Sequence, residues 1–299
     1  MKSSLKEVLD NGGFAVTAEL GPPRGSDQNV VREKANFLKD ADAINVTDCQ
    51  TAITRMSSVA SCFILKRMGL NPVLQMTCRD RNRIAIQSDL LGAAALGIEN
   101  VLLMTGDHQK FGDHPEAKGV FDLDSISLIA MVKKMRDEKK FLSGDELNPA
   151  PNFFIGAVEN PFASPVEFRA KRLGKKIRAG AEFFQTQIVY NLERFEAFME
   201  EVNRLGFSKE SYILAGVCPL KSAGMAKYMR SKVPGLDVPD HIISRMQEAA
   251  EPKKEGIEIC VEIIKRIREI KGVAGVHIMA VEWEEVVPKI LEKAGLKNT

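Results

Sequence analysis

The sequence predicts a (β/α)8 barrel, an α/β fold of one domain covering residues 1–299. Three observations predict it. Eight short apolar segments recur along the chain, each followed by a helix-like stretch. Most of them are near-continuous apolar runs, the pattern of parallel strands covered on both faces. The starts of the first four are spaced by roughly 30 residues, the length of one βα unit. A doubly wound open sheet is the competitor, but eight units in one chain favour closure into a barrel, typically of ~250 residues.

The first strand is Phe14–Glu19, where Phe14, Val16 and Ala18 alternate with Ala15, Thr17 and Glu19. It breaks at Gly21-Pro22-Pro23, since proline has no N–H for a ladder and glycine gives up backbone order. A helix follows over Asp27–Leu38, with Ser26 or Asp27 as its cap. The second strand is Ala43–Thr47. The next helix, Ser57–Met68, carries Val59, Phe63, Ile64 and Met68 at helical spacing. Strand three is Val73–Cys78, and the helix Ser88–Leu96 stops at Gly97. Strand four is Val101–Thr105.

A long connection follows, at about 106–150, with the loop GDHQKFGDHPEAKG, a helix near Ile126–Met135 and a polar linker. Strand five, Phe153–Val158, leads to a helix over Pro165–Ala179 that ends at Gly180. Strand six, Phe184–Val189, leads to a helix over Leu192–Leu205 that ends at Gly206. After strand seven, Ile213–Val217, a second long connection at about 218–275 holds two or more helices, the last over Ile257–Ile270. Strand eight is Val276–Ala280.

Composition excludes several function classes. The formal net charge is +2, so nothing marks nucleic acid or an anionic membrane as a partner. No apolar run approaches the ~18 residues of a membrane span. The first residues, Met-Lys-Ser-Ser-Leu-Lys-Glu-Val, lack the apolar core of a signal peptide, so a cytoplasmic location is expected. The five cysteines, Cys49, Cys62, Cys78, Cys218 and Cys260, form no CxxC pair. The four histidines, His108, His114, His241 and His277, form no HxxxH-type cluster, so no metal site is expected.

The strand ends carry the candidate chemistry. The first ends in Glu19, and the second runs into Thr47-Asp48. The third holds Gln75, Thr77 and Cys78, and the fourth ends Met104-Thr105-Gly106-Asp107. The fifth runs through Ala157 to Glu159-Asn160, and the sixth carries Thr186-Gln187. A barrel gathers these ends on one rim, where its active sites lie.

Glu19 in AELGPPR, the TGD at Thr105–Asp107, RLGKKIRAGAEFFQTQ at Arg172–Gln187, AGVCPL at Ala215–Leu220 and the late VHIMAVEWEEV occur together and in order. In this the chain resembles the methylenetetrahydrofolate reductase family over essentially its whole length. The resemblance implies a flavin enzyme that reduces 5,10-methylenetetrahydrofolate to 5-methyltetrahydrofolate. It implies Glu19 as the general acid that opens the imidazolidine ring, with an apolar surround to raise its pKa. It implies Asp107 beside flavin and pterin, and Gln187 as a folate ligand. For the flavin it implies Thr47, Gly106, Ala157, Arg172 and Lys176, with Lys176 on a phosphate.

The chain departs from the family pattern at several cofactor positions. Asp48 stands for a tyrosine, Gln75 for a histidine and Thr105 for an arginine. Val158 and Phe162 replace aromatic and histidine positions, and Ala223 replaces a phenylalanine. These departures bear on the adenine end of the cofactor and on nicotinamide stacking. They leave FAD or FMN as the flavin, and NAD(P)H or an electron-delivering partner protein as the donor. They place the chain nearest the branch of anaerobic one-carbon metabolism, in an oligomer or hetero-complex. The competing readings are a flavin-free folate-binding methyltransferase barrel and a non-catalytic partner subunit.

Overall fold

Eight parallel strands close on themselves in sequence order. They are β1 (Ala15–Leu20), β2 (Ala43–Val46), β3 (Pro72–Thr77), β4 (Asn100–Met104), β5 (Phe154–Glu159), β6 (Phe183–Ile188), β7 (Tyr212–Val217) and β8 (Val273–Ile278). The structure is a computed structural model that describes residues 4–296. Closure is made by β1 against β8, with Thr17 opposite His277. The predicted barrel is therefore the observed one, with strand boundaries displaced by one to three residues.

Eleven α-helices are described. These are α1 (Leu5–Asp10), α2 (Gln28–Leu38), α3 (Ser58–Arg67), α4 (Arg83–Ala95), α5 (Ser125–Lys133), α6 (Arg169–Ala179), α7 (Leu192–Arg204), α8 (Ala223–Lys232), α9 (Asp240–Glu248), α10 (Pro252–Ile267) and α11 (Val287–Ala294). The long connections hold α5, and α8 with α9 and α10. Helix α4 begins five residues before the predicted Ser88, because the Asn82 side chain accepts the Ile84 and Ala85 N–H groups and caps it there. Helix α10 likewise begins early, at Pro252, whose fixed φ suits a first helical turn.

Two apolar regions hold the molecule together. Outward-facing strand residues such as Val16, Ala18, Ile44 and Met76 pack under the helices. Inward-facing Ala15, Ala43, Val73, Leu102, Phe154, Phe183 and Leu214 fill the floor of the barrel. Helix α1, unforeseen in the sequence, closes that floor by burying Leu5 and Leu9. Each contributes about 1.5–3 kcal/mol on full burial. A capping box between Ser4 and Glu7 starts the helix, and the Tyr212 hydroxyl donates to Asp10 at 2.7 Å beyond it. Above the floor the inward side chains turn polar, with Thr17, Asn45, Gln185 and His277 all buried. The interior is thus sealed below and polar toward the carboxyl ends, where the cavity opens.

Candidate active site

The carboxyl ends of the strands surround one cavity of about 490 Å3. Glu19, Gln75, Thr105, Gly106, Asp107, Arg172 and Gln187 all line it, with Asp48 and Lys176 at its wall. These residues are separated by up to 168 positions in sequence, and only barrel closure brings them together.

Glu19 is three-quarters buried, its side chain 25% exposed. Its Oε2 accepts from Gln75 Nε2 at 3.5 Å and lies 3.7 Å from His277 Nε2. The predicted apolar surround is therefore absent. The inward-facing neighbours on β3 and β8 are polar, because they continue the barrel's polar layer.

Asp107 is exposed and accepts the Thr51 backbone N–H at 3.2 Å. Thr51 belongs to a loop after β2 in which Cys49, Thr51 and Ala52 have φ of 47°, 58° and 56°. Such left-handed residues cost on the order of 1 kcal/mol each and need surrounding contacts to persist. The contacts are visible. Buried Arg79 donates to Cys49 O at 3.2 Å and to Asp107 O at 3.3 Å. Asp113 accepts from Thr54 N–H at 3.2 Å and from Arg24 at 2.8 Å. Gly112 lies so close that a Cβ there would sit 1.8 Å from Ala52 O. The loops after β1, β2 and β4 are thereby clasped into one wall. At Gly106 the chain leaves β4 with φ of +89°, and a Cβ would meet that of Thr77 at 2.9 Å, so only glycine fits the turn.

Four anticipated cofactor residues are placed differently. Ala157 is fully buried on the outward face of β5, against the helices, because strand parity turns Val158 to the cavity instead. Asp48 spends its carboxylate on the protein: it accepts from Thr77 N and Oγ1 at 2.9 Å each and from Arg81 Nη1 at 2.7 Å. Thr47 is buried behind the cavity, its hydroxyl donating to Gln50 Oε1 at 2.6 Å, and Gln50 forms the lining there. Lys176 is only 3% exposed and donates to Val158 O and to Glu159 Oε2, the latter at 3.0 Å. Burial pushes its ammonium below the usual pKa, and Glu159 opposes the shift. At the cavity wall its charge is paired with the buried Glu159 carboxylate.

Arg172 differs. It is half-buried at the cavity wall and makes no hydrogen bond or ion pair among the described residues. Gln187 accepts the Ile188 N–H on Oε1 at 3.0 Å, which leaves its amide nitrogen without a partner among the described residues. No group of three or more histidine, cysteine or carboxylate side chains suited to a metal occurs among the described residues. All five cysteines are free.

Comparison with known proteins adds the decisive observation. Residues 4–295 match the family described as methylenetetrahydrofolate reductase. The chain belongs to this family. It is 29% identical to methylenetetrahydrofolate reductase 2 of Schizosaccharomyces pombe, over 98% of this chain and 47% of that one. It is 25% identical to a probable methylenetetrahydrofolate reductase (NADPH) of Caenorhabditis elegans, over 82% of this chain and 35% of that one. The chain thus spans between a third and a half of the length of these relatives. Among solved structures, an uncharacterized protein from Clostridium thermocellum, described as binding two copies of 5-methyl-5,6,7,8-tetrahydrofolic acid, superposes with a TM-score of 0.68 at 15% identity, covering 99% of this chain and 98% of that one. Oxaloacetate acetylhydrolase superposes with a TM-score of 0.52 at 12% identity, covering 100% of this chain and 88% of that one. At these identities both show the barrel and no more.

The cavity of this methylenetetrahydrofolate reductase family member also uses residues that sequence reasoning left aside. Arg79 clasps the loops and His277 faces Glu19. Only His277 had a readable signal. It shares its face of β8 with Gly275, and with Met279 just past the strand end, so its parity points inward once β8 is known to border β1.

Proposed function

We propose that this chain is a flavin-dependent reductase that converts 5,10-methylenetetrahydrofolate to 5-methyltetrahydrofolate. One observation carries the reading: Glu19, Asp107 and Gln187 converge on a single cavity in a chain of this family. Opening of the substrate's imidazolidine ring to an electrophilic iminium requires a proton on a ring nitrogen, and Glu19 is the acid in reach. The Asp107 carboxylate accepts from the amino-pyrimidine edge of the pterin and favours the iminium cation. The free amide nitrogen of Gln187 donates to the folate. A reduced flavin held at this wall would supply the hydride for the methylene carbon.

The donor set fits a flavin in part. Arg172, which makes no hydrogen bond or ion pair among the described residues, suits a phosphate, and Gln75, Thr105 and Gly106 supply adjoining wall. Lys176 does not serve this role, since Glu159 holds it. A single uncommitted arginine is compatible with FMN as well as FAD. The changed residues Asp48, Gln75, Thr105 and Ala223 support an electron-delivering partner protein over free NAD(P)H, within an oligomer or hetero-complex. Five free thiols suit a reducing, cytoplasmic compartment, and no helix among the described residues is long and apolar enough to cross a membrane.

A second reading is favoured by the neutralised Lys176 and by the two folates of the Clostridium thermocellum neighbour. In it, the cavity binds folate without flavin. The absorbance spectrum of the purified protein separates the two. Flavin bands that persist through dialysis, and bleach with reduced viologen, support the reductase. A colourless protein that binds methyltetrahydrofolate and gains no activity on addition of FAD or FMN refutes it.

A further inference from the structure

Beneath Glu19 lies a buried chain of hydrogen bonds that the reaction described above does not use. Asn45 and Gln185 exchange amide bonds across the barrel, Asn45 Nδ2 to Gln185 Oε1 at 2.6 Å and Gln185 Nε2 to Asn45 Oδ1 at 3.0 Å. With the amides so placed, the second N–H of the Gln185 nitrogen donates to Thr17 Oγ1 at 3.0 Å. Thr17 Oγ1 sits 2.9 Å from His277 Nδ1 and 3.4 Å from Val276 O. His277 Nε2 in turn faces Glu19 Oε2 at 3.7 Å. Asn45, Gln185, Thr17 and His277 are all buried.

The hydroxyl proton of Thr17 has two acceptors to choose from. The carbonyl at 3.4 Å is well beyond the usual ~2.7–2.8 Å of an O–H···O bond, whereas the imidazole nitrogen is within range. Gln185 already donates to the hydroxyl, so its proton is directed to Nδ1. An imidazole that accepts on Nδ1 carries its own proton on Nε2. That nitrogen is the one 3.7 Å from Glu19 Oε2.

We infer that His277 is a positioning residue for Glu19, locked by Thr17 and Gln185 as the Nε2–H tautomer. The inference rests on the reading of Glu19 as the acid. Its consequence concerns which oxygen of Glu19 carries the proton. Gln75 Nε2 and His277 Nε2 both approach Oε2 and neither is within reach of Oε1 by any recorded hydrogen bond. In a carboxylic acid the oxygen that accepts is the carbonyl oxygen, and the other bears the proton. Oε1 is therefore the donor oxygen toward substrate. As the proton leaves, the charge that develops on the carboxylate meets two donors already in place, which favours the ionised product of the step. The 3.7 Å separation shortens to a hydrogen bond at that moment, as is common for catalytic contacts measured without substrate.

The test joins a spectroscopic readout with a kinetic one. The chain has four histidines, so long-range 1H–15N spectra of the imidazole nitrogens are simple, and His277→Gln identifies the His277 signals by their loss. The native protein at neutral pH should show His277 with Nε2 protonated and Nδ1 bare. Thr17→Val keeps the side-chain shape and removes the hydroxyl. It should release the tautomer preference and slow flavin reoxidation by methylenetetrahydrofolate by ~10-fold, the scale of one hydrogen bond to a charged group. Flavin reduction by viologen should not change. His277→Phe should slow reoxidation at least as much, and His277→Gln, which keeps an N–H donor near the Nε2 position, should recover most of the rate. A native Nδ1–H tautomer overturns the inference. So does a native reoxidation rate in Thr17→Val while Glu19→Gln is slow, which leaves the acid reading intact. A native rate in Glu19→Gln removes the acid reading and this inference with it.

Discussion

Replacing Lys176 by alanine should destabilise the fold rather than merely loosen a cofactor. Lys176 and Glu159 are each 3% exposed, with Nζ and Oε2 3.0 Å apart. The ammonium also donates to Val158 O. Its removal leaves a buried carboxylate whose other recorded contacts are with its own chain neighbour, the Asn160 N–H at 3.3 Å. Breaking a buried pair in this way costs about 3–5 kcal/mol, most of it the penalty of the stranded charge. At about 2.1 cal/mol/K of unfolding entropy per residue, a chain of 299 residues loses roughly 5–8 °C in Tm. Urea unfolding of Lys176→Ala, of the single variants Lys176→Met and Glu159→Gln, and of the pair Lys176→Met/Glu159→Gln is the assay. The double variant strands no charge, so it should be more stable than the sum of the two single losses predicts, with a coupling of about 1–3 kcal/mol. Single variants within 1 kcal/mol of the native protein, with no coupling, would refute the reasoning and return Lys176 to the ligand.

Other outcomes follow from the same wall. Arg172→Ala should lower flavin retention on dialysis by ~10-fold or more, the worth of a charge-assisted bond, with Tm unchanged. Burial holds the thiols of Cys78 and Cys218 up at about 12 and raises those of Cys62 and Cys260 well above the ordinary thiol range; a disulfide reagent at mildly alkaline pH should therefore react with Cys49 alone in the native protein and with all five in denaturant. The exposed Arg83 guanidinium holds Asp122 down at about 2, against 3.8 for a free aspartate. A carboxylate lowered in the folded state adds stability above its unfolded pKa and loses it as pH falls toward the folded one. Thermal melts of Asp122→Asn should accordingly approach the native protein between pH 4 and 2 and differ from it above.

The barrel was legible because its strands are apolar runs cut off by glycine, proline and polar residues, a local signal that survives without knowledge of neighbours. Helix α1 was not, since six residues with Leu5 and Leu9 carry too little periodicity until a floor exists to bury them. The early start of α4 was available in Asn82, whose capping role a run of charged residues obscured. At the rim, Glu19, Asp107, Gln187 and Arg172 were found by motif and share one cavity. Ala157 missed by one register step, which on a strand exchanges the two faces completely. Asp48 and Lys176 reach the same cavity wall, but with their charges already paired. A motif states which residue is present but not which partner claims it, and Arg81 and Glu159 claim these two through contacts that only the folded chain makes.

The central claim is that Glu19 protonates the folate while flavin reduction proceeds without it. Stopped-flow absorbance at the flavin band, on Glu19→Gln, tests this most directly. The amide keeps the shape of the side chain and removes its proton. The variant should bind flavin and accept electrons from viologen at the native rate, and its reoxidation by methylenetetrahydrofolate should fall by ~100-fold or more, the scale of a lost general acid. Reoxidation at the native rate would place the acid elsewhere and reduce Glu19 to the end of a strand.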